Sequence, residues 1–307
     1  MSYHFHDLPE FPIQKKVVLE DKELITIFAS HFLPSADFKF ASLWSYNTEN
    51  DAAISRYNDN LILKFRDYIT NESHYSFLGK NLLNDTAEIL LQQARKEGIL
   101  EELRLIPEDV ISYESNWSNF RVLEDEGNHD YILSVEDMAV LPGSKFHTQK
   151  NHINKFHALY PNHFIKILDP QKTSTKEHIE DVFFRWEKAR GKIRADTEHE
   201  LTAIQRLLDA HSFFKLLVIG LFIDEKIQGF SINDLDNINY AQNHFAKSDP
   251  EIKQAYYKLN QVTGHELKKL GYSYLNIECD LGIEGLRFAK KQWNPVSYIK
   301  KYTISKK

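Results

Sequence analysis

Apolar residues recur at helical spacing over residues 21–32, a run that ends before Pro34, and again over residues 85–97. Asp85 stands at the N-cap position of the second run and Gly98 just past its end. Strand-like runs fall at 60–66, 75–79, 103–106 and 131–135, residues 107–117 predict a helix, and 38–46 is rich in aromatics. The second half is sharper. Strands are predicted at 163–168, 216–223, 228–233, 239–246, 273–279 and 296–304, with a hairpin-like turn at Asp224-Glu-Lys-Ile. Helices are predicted at 175–190, at 198–212 with a capping pattern near Thr197, at 251–270 before Gly271, and at 283–292 before Asn294-Pro295.

Three consecutive strands between the helix pairs exclude a doubly wound sheet, in which helices alternate with strands. The order β-α-α-β-β-β-α-β-α-β is that of a GNAT-type acyltransferase domain, so an α+β (α/β) fold with mixed sheets flanked by helices is expected. The 307 residues suggest about two domains, divided into 1–135 and 136–307. No sequence repeat is visible between the halves.

Composition narrows the partners. With 42% hydrophobic and 13% aromatic residues the chain buries real cores. Its net charge of −6 carries no general attraction for nucleic acid or anionic lipid, so no DNA partner is expected and a polyanion needs a local patch. The single cysteine, Cys279, rules out an intramolecular disulfide and a Cys-rich zinc site, and its apolar run predicts a buried strand thiol. The first residues lack the basic and apolar regions of a signal peptide. The longest apolar stretch, 213–223, is broken by Lys215 and falls short of the roughly 20 residues that span a bilayer. A cytoplasmic location without integral membrane association is the expectation.

One segment concentrates polar chemistry. A Pro-Gly turn at 142–143 opens onto a helix bearing Lys145, His147, Gln149, Lys150, Asn151, His152, Asn154 and Lys155, with Ser144 at the N-cap position. A helix start favours anions through its free amides and dipole, so Lys145, His147, Lys150, Asn151 and Asn154 form a candidate phosphate or carboxylate cradle. A solvated cationic face is the alternative. His147, His152 and His157 recur every five residues, about 140° apart on a helix, and do not share a ligand face. His4-Phe-His6 is an exposed end and no metal site is predicted. Dinucleotide, Walker A and Gly-x-Ser-x-Gly patterns are absent.

Val140-Leu-Pro-Gly-Ser-Lys-Phe-His-Thr-Gln-Lys-Asn-His-Ile-Asn-Lys-Phe156 resembles the signature of the family of phosphatidylglycerol lysyltransferase C-terminal domains. So do His244-Phe-Ala-Lys-Ser-Asp249, Tyr256-Tyr-Lys-Leu-Asn-Gln261, the segment from Glu278 to Lys290, and Asn294-Pro295. The resemblance spans most of the chain and is specific from about residue 131 onward. It implies two tandem GNAT-like domains, as in Fem-type aminoacyltransferases. It also implies acyl or aminoacyl transfer to an amine or hydroxyl, with acyl-CoA or aminoacyl-tRNA as donor substrate and no tightly bound cofactor.

Such a transfer needs a positioned donor, a stabilised oxyanion and a proton acceptor. His244 and Glu284 are candidates for the proton, and Tyr257 for a general acid by analogy with GNAT enzymes. Lys247, Asn260, Asp280 and Arg287 complete a ligand-binding set expected in a cleft between the domains. His244 and the tyrosines also fit plain packing roles, and Gly282 and Gly285 fit a tight turn as well as a close approach to ligand. The loop 246–254 lacks the glycine-rich pattern that lets backbone approach a CoA pyrophosphate, and Asp249 and Glu251 repel one. Lys290-Lys-Gln-Trp293 reads as a solvated cationic helix end. The other function class open at this point is a non-catalytic ligand-sensing module on the same scaffold.

Overall fold

The computed structural model describes residues 5–67, 69–192 and 194–307. They form two compact units, Met1–Asp130 with Cys279–Ile283 and Tyr298–Lys307, and Tyr131–Glu278 with Glu284–Ser297. The expected single cut between 135 and 136 differs from this interleaved division. His4 of the exposed-end reading lies outside the described residues.

The first unit is built on a seven-stranded sheet. Its strands are β1 (Lys15–Lys16), β2 (Ala53–Tyr57), β3 (Asn60–Arg66), β4 (Ser73–Leu78), β5 (Leu103–Pro107), β6 (Phe120–Glu124) and the C-terminal β14 (Lys301–Lys306). The order is β1-β2-β3-β4-β5-β14-β6. Helices α1 (Lys22–Ala29), α2 (Phe40–Tyr46), α3 (Leu83–Glu97) and α4 (Glu108–Tyr113) accompany it. α3 ends at Gly98 with φ 65°, as the sequence predicts, but Asp85 lies inside its first turn rather than at the cap. Strands β2 and β6 had no clear sequence signal.

The second unit holds β7 (Asp130–Ser134), β8 (His163–Leu168), β9 (Leu216–Ile223), β10 (Lys226–Asp234), β11 (Tyr240–Ser248), β12 (Tyr274–Asn276) and β13 (Ser297–Ile299). Its helices are α5 (Val135–Val140), α6 (His147–Leu159), α7 (Thr173–Ala189), α8 (Arg194–Asp209), α9 (Ala255–Lys269) and α10 (Glu284–Lys291). Asp224 and Glu225, at φ 47° and 67°, make the tight turn that joins β9 to β10. Phe146, Ile153 and Phe156 of the α6 segment, Leu259 and Val262 of α9, and Trp293 share one buried core. Each such side chain contributes about 1.5–3 kcal/mol by burial. Gly264 lets α9 approach α5, because a Cβ there would sit 2.6 Å from that of Met138.

Read from β8, the second sheet runs β8-β9-β10-β11-β12-β7-β13, so position by position it repeats the first. In each sheet an antiparallel meander is followed by one parallel pair, β4 with β5 and β11 with β12, joined through α3 or α9. In each, the next strand inward comes from the far part of the sequence. β14 fills that place in the first sheet and β7 in the second. The duplication is invisible in the residues and plain in the topology.

Three element expectations are corrected here. The strand expected at 296–304 is two strands in different sheets, β13 and β14. The helix expected from 251 starts at Ala255, since 249–254 form a series of turns. Cys279 follows β12 and is half-buried, not a buried strand thiol.

Candidate active site

β11 and β12 run in parallel only over Tyr240↔Tyr274 to Gln242↔Asn276. β12 then stops while β11 continues to Ser248. Just past this parting, β11 carries a bulge. Phe245 pairs with Ile232 and Asn243 with Asn233, which leaves His244 as the extra residue. The bulge changes which face each side chain meets: Asn243 bonds Ser231 and Asn233, whereas Gln242 and His244 turn to Glu278.

Glu278 is held in the left-handed region at φ 60°. Asn276 Oδ1 accepts its amide at 2.7 Å, and its carbonyl accepts the Tyr131 amide at 3.2 Å. A non-glycine residue kept in that conformation costs about 1–3 kcal/mol and persists only where its surroundings over-determine it. Glu278 Oε1 lies 2.9 Å from His244 Nδ1 and 2.8 Å from Gln242 Nε2. On the other side of the ring, His244 Nε2 is 3.7 Å from Asp234 Oδ2. The imidazole is wholly buried, Asp234 nearly so, and the Glu278 side chain keeps 19% of its surface exposed.

Burial by itself lowers the pKa of His244, but the hydrogen bond to Glu278 and the nearby charges of Glu278 and Asp234 override it and push it up to about 9. Burial likewise opposes the ionised form of Glu278, yet the bond and charge of His244 hold its carboxyl below the usual range. At neutral pH the group is an imidazolium between two carboxylates. His244 therefore has no lone pair for a proton, which corrects the expectation that it is a base. Glu278 is the ionised group of the three that keeps appreciable contact with solvent.

The remaining expected residues fall elsewhere. The α6 start is corrected first: a 3-10 turn over Ser144–Phe146 precedes it, and no side chain, Ser144 included, caps either. Lys145 pairs with Asp137 at 2.7 Å, His147 bonds Asn151 at 2.9 Å, and Lys150, Asn151 and Asn154 are exposed on α6. His152 stacks on Tyr257 with centroids 4.2 Å apart, and the Tyr257 hydroxyl donates to Gln292 Oε1 at 2.7 Å. Gln149 donates to the Gln292 carbonyl, and Asn294 donates to that of Lys145. The tyrosine thus fastens α6 and α9 to the chain after α10. Asn260 donates to the Tyr256 carbonyl within α9.

Lys247 is not a free phosphate contact. Its ammonium lies 2.8 Å from Glu200 and 3.6 Å from the Trp186 ring centre, and burial pushes its pKa down. Lys290, expected in solvent, is buried and donates to the Ile277 carbonyl beside the Glu278 turn. Asp280 is buried and accepts the Gly282 amide at 2.8 Å, as the tight-turn reading requires. Glu284 is exposed and Arg287 half-buried on α10.

The loop after β11 is closed on itself. Asp249 pairs with Arg185 and accepts the Glu251 amide at 2.9 Å. The amides of Ile252, Ala255 and Tyr257 donate to carbonyls of Asp249, Ile252 and Gln254, and that of Lys253 to the Tyr160 hydroxyl. Those amides are committed within the protein. Among the described residues no cluster of three or more His, Cys, Asp or Glu is arranged to hold a metal ion, and no helix is long and apolar enough to cross a membrane.

The family model for the C-terminal region of phosphatidylglycerol lysyltransferase matches residues 36–305. The chain belongs to this family. A crystal structure of a conserved protein of unknown function from Bacteroides thetaiotaomicron VPI-5482 is 27% identical, covering 96% of this chain and 99% of that one, with a TM-score of 0.82. FemX is 9% identical over 96% of this chain and 97% of its own, with a TM-score of 0.56. A tandem GNAT protein from the clavulanic acid biosynthesis pathway is 9% identical over 95% and 97%, with a TM-score of 0.50. None of the curated proteins matches. The family member thus has the expected α+β fold of two tandem GNAT-like halves.

Sequence reasoning missed Asp234, Gln242 and Glu278 as partners of His244. Gln242 and His244 are two apart on one strand, a spacing that was readable. Asp234 and Glu278 reach the ring only through the β10 pairing and the turn after β12.

Proposed function

We propose that this family member transfers an aminoacyl group from its ester on tRNA to an amine- or hydroxyl-bearing acceptor at Glu278. The observation that carries the reading is the Glu278–His244–Asp234 group at the parting of β11 and β12. Attack on an ester by an amine builds positive charge on nitrogen, which a partly buried carboxylate stabilises before it takes the proton. His244, as a cation, keeps Glu278 ionised and aimed. Asp234 holds the far side of the ring, so His244 and Asp234 are positioning residues. An ester donor is favoured over a CoA thioester because the loop 249–254 commits the amides that a pyrophosphate would need.

The test is turnover with a mixed aminoacyl-tRNA pool and, separately, with a panel of acyl-CoAs, using small amines and alcohols as acceptors. Aminoacyl-tRNA should be consumed, and Glu278→Gln should lower the rate by about 10²–10⁴-fold, the usual loss for a proton acceptor. Turnover of acyl-CoA alone rejects the donor. Binding of aminoacyl-tRNA without turnover under any acceptor would replace the enzyme by a sensing module.

A further inference from the structure

A second cluster of titratable groups lies where α6, β8 and α9 of the second unit meet. His157, in the last turn of α6, has its Nε2 3.2 Å from Lys258 Nζ on α9. Its ring lies 4.7 Å from that of His163, the first residue of β8, at 74°. The bonding fixes the protons. His163 Nδ1 is 2.6 Å from the Tyr160 carbonyl, which only accepts, so Nδ1 carries the proton and, in the neutral ring, Nε2 keeps its lone pair. The Lys258 ammonium only donates, so His157 accepts at Nε2 and is neutral, with its proton on Nδ1. Gln261 Oε1 accepts from Lys258 at 3.4 Å.

The charges that act on His157 are Lys258 from α9 and His163 from β8, and both oppose its protonation. Burial first, then these two, hold its pKa below the ordinary value. Burial pushes Lys258 down as well. His265, further along α9, is lowered by burial and by Lys258 and Lys269, against Glu266, which is itself paired with Lys269 at 2.6 Å. Lys258 and His163 thus both flank His157, and the charges that act on it are repulsive. Such a grouping is unfavourable until a counter-charge offsets it.

The cluster is compact, a scale that suits one tetrahedral dianion rather than an extended polyanion. We propose that the α6–β8–α9 junction binds a phosphate group, as carried by a small phosphomonoester, and that binding takes up protons on His157 and His163. The oxygens accept from Lys258 Nζ, which gives up its bond to His157 Nε2, from His157 Nδ1, and from His163 Nε2 once that nitrogen is protonated; the proton taken up by His157 goes to the freed Nε2. The protons come from solvent and no covalent bond changes. The inference goes beyond the transferase reading and is read without turnover.

The experiment follows the histidine resonances of the full chain between pH 5.5 and 8.5, with and without sulfate at constant ionic strength. Sulfate stays a dianion over this range, so only the protein titrates. Saturating sulfate should raise the His157 and His163 midpoints by about one pH unit each, which corresponds to about tenfold tighter binding for each proton taken up. Inorganic phosphate should saturate the same resonances, and Lys258→Gln should abolish both responses in a chain with unchanged melting temperature. Midpoints that do not move in sulfate or phosphate overturn the proposal, as does a Lys258→Gln chain that responds like the wild type. An RNA oligonucleotide that moves them where sulfate and phosphate do not would also overturn it, in favour of a nucleic-acid surface.

Discussion

The two units share a strand order, yet each buries a histidine in the opposite charge state. His74, on β4 in the first sheet, is 2% exposed, packs edge-on to Phe65, and neither ring nitrogen meets a hydrogen-bond partner. Burial and then the charge of Arg104 lower its pKa to about 4, so it is a neutral core side chain. His244 on β11 is buried as deeply, but two carboxylates hold it as a cation. The loop after β4 is likewise pinned by one uncharged side chain. Asn60 accepts from the Asn81 amide at 3.1 Å and donates to its carbonyl at 2.7 Å. Corresponding strands therefore carry a packing histidine in one half and a charged one in the other. What differs is not burial but the groups that neighbouring strands deliver.

The largest expected effect tests what holds the first unit's sheet together. Lys301 of β14 is fully buried between Asp130 at 2.7 Å and Asp37, and Asp130 also accepts the Ala36 amide at 2.7 Å. Lys301→Met strands both carboxylates and should cost about 3–5 kcal/mol in urea unfolding. A loss under 1 kcal/mol would show that β14 is held by its backbone pairing alone.

The histidine contrast predicts two arms of one pH–stability curve. His244 is raised from 6.5 to about 9, so its contribution is complete below pH 6.5 and is lost as pH rises through 9, about 3 kcal/mol in all. His74 is lowered from 6.5 to about 4, so stability is undisturbed above pH 6.5 and falls by about 3 kcal/mol as pH drops to 4. Urea titrations at pH 4, 7 and 9 separate the arms. His74→Leu should flatten the acid arm and leave the alkaline one, whereas Glu278→Gln should flatten the alkaline arm and, because its own carboxyl is held low, also change the acid one. A His74→Leu chain that loses the alkaline arm would break the comparison.

Smaller effects concern packing in the second unit. Gly264→Ala should destabilise by about 1–3 kcal/mol, because the new methyl meets Met138 and the Ala139 amide, seen as a lower midpoint at unchanged m-value. Tyr257→Phe should cost about 1 kcal/mol by removing its bond to Gln292. In the proposed reaction it should leave turnover within a few-fold, since Glu278 and not Tyr257 moves the proton. A hundredfold drop in turnover would return Tyr257 to the catalytic set.

The patterns at 163–168 and 216–223 determined two strands to the residue, because a short apolar-rich run closed by Asp169-Pro170 and a continuous apolar run closed by the turn at Asp224 leave no competing pattern. They also determined the three-strand meander and so the fold class. The family signature was legible for the same local reason. Tertiary structure alone decided the rest. Residues 296–304 read as one strand, but only pairing partners reveal that the run changes sheets between Ile299 and Lys301. Charge on His244, Lys247 and Lys290 was equally hidden. A lysine in sequence carries the same charge in solvent as under Trp186, and only the neighbours brought by β10, α7, α8 and the turn at Glu278 settle which groups stay ionised and which remain reachable.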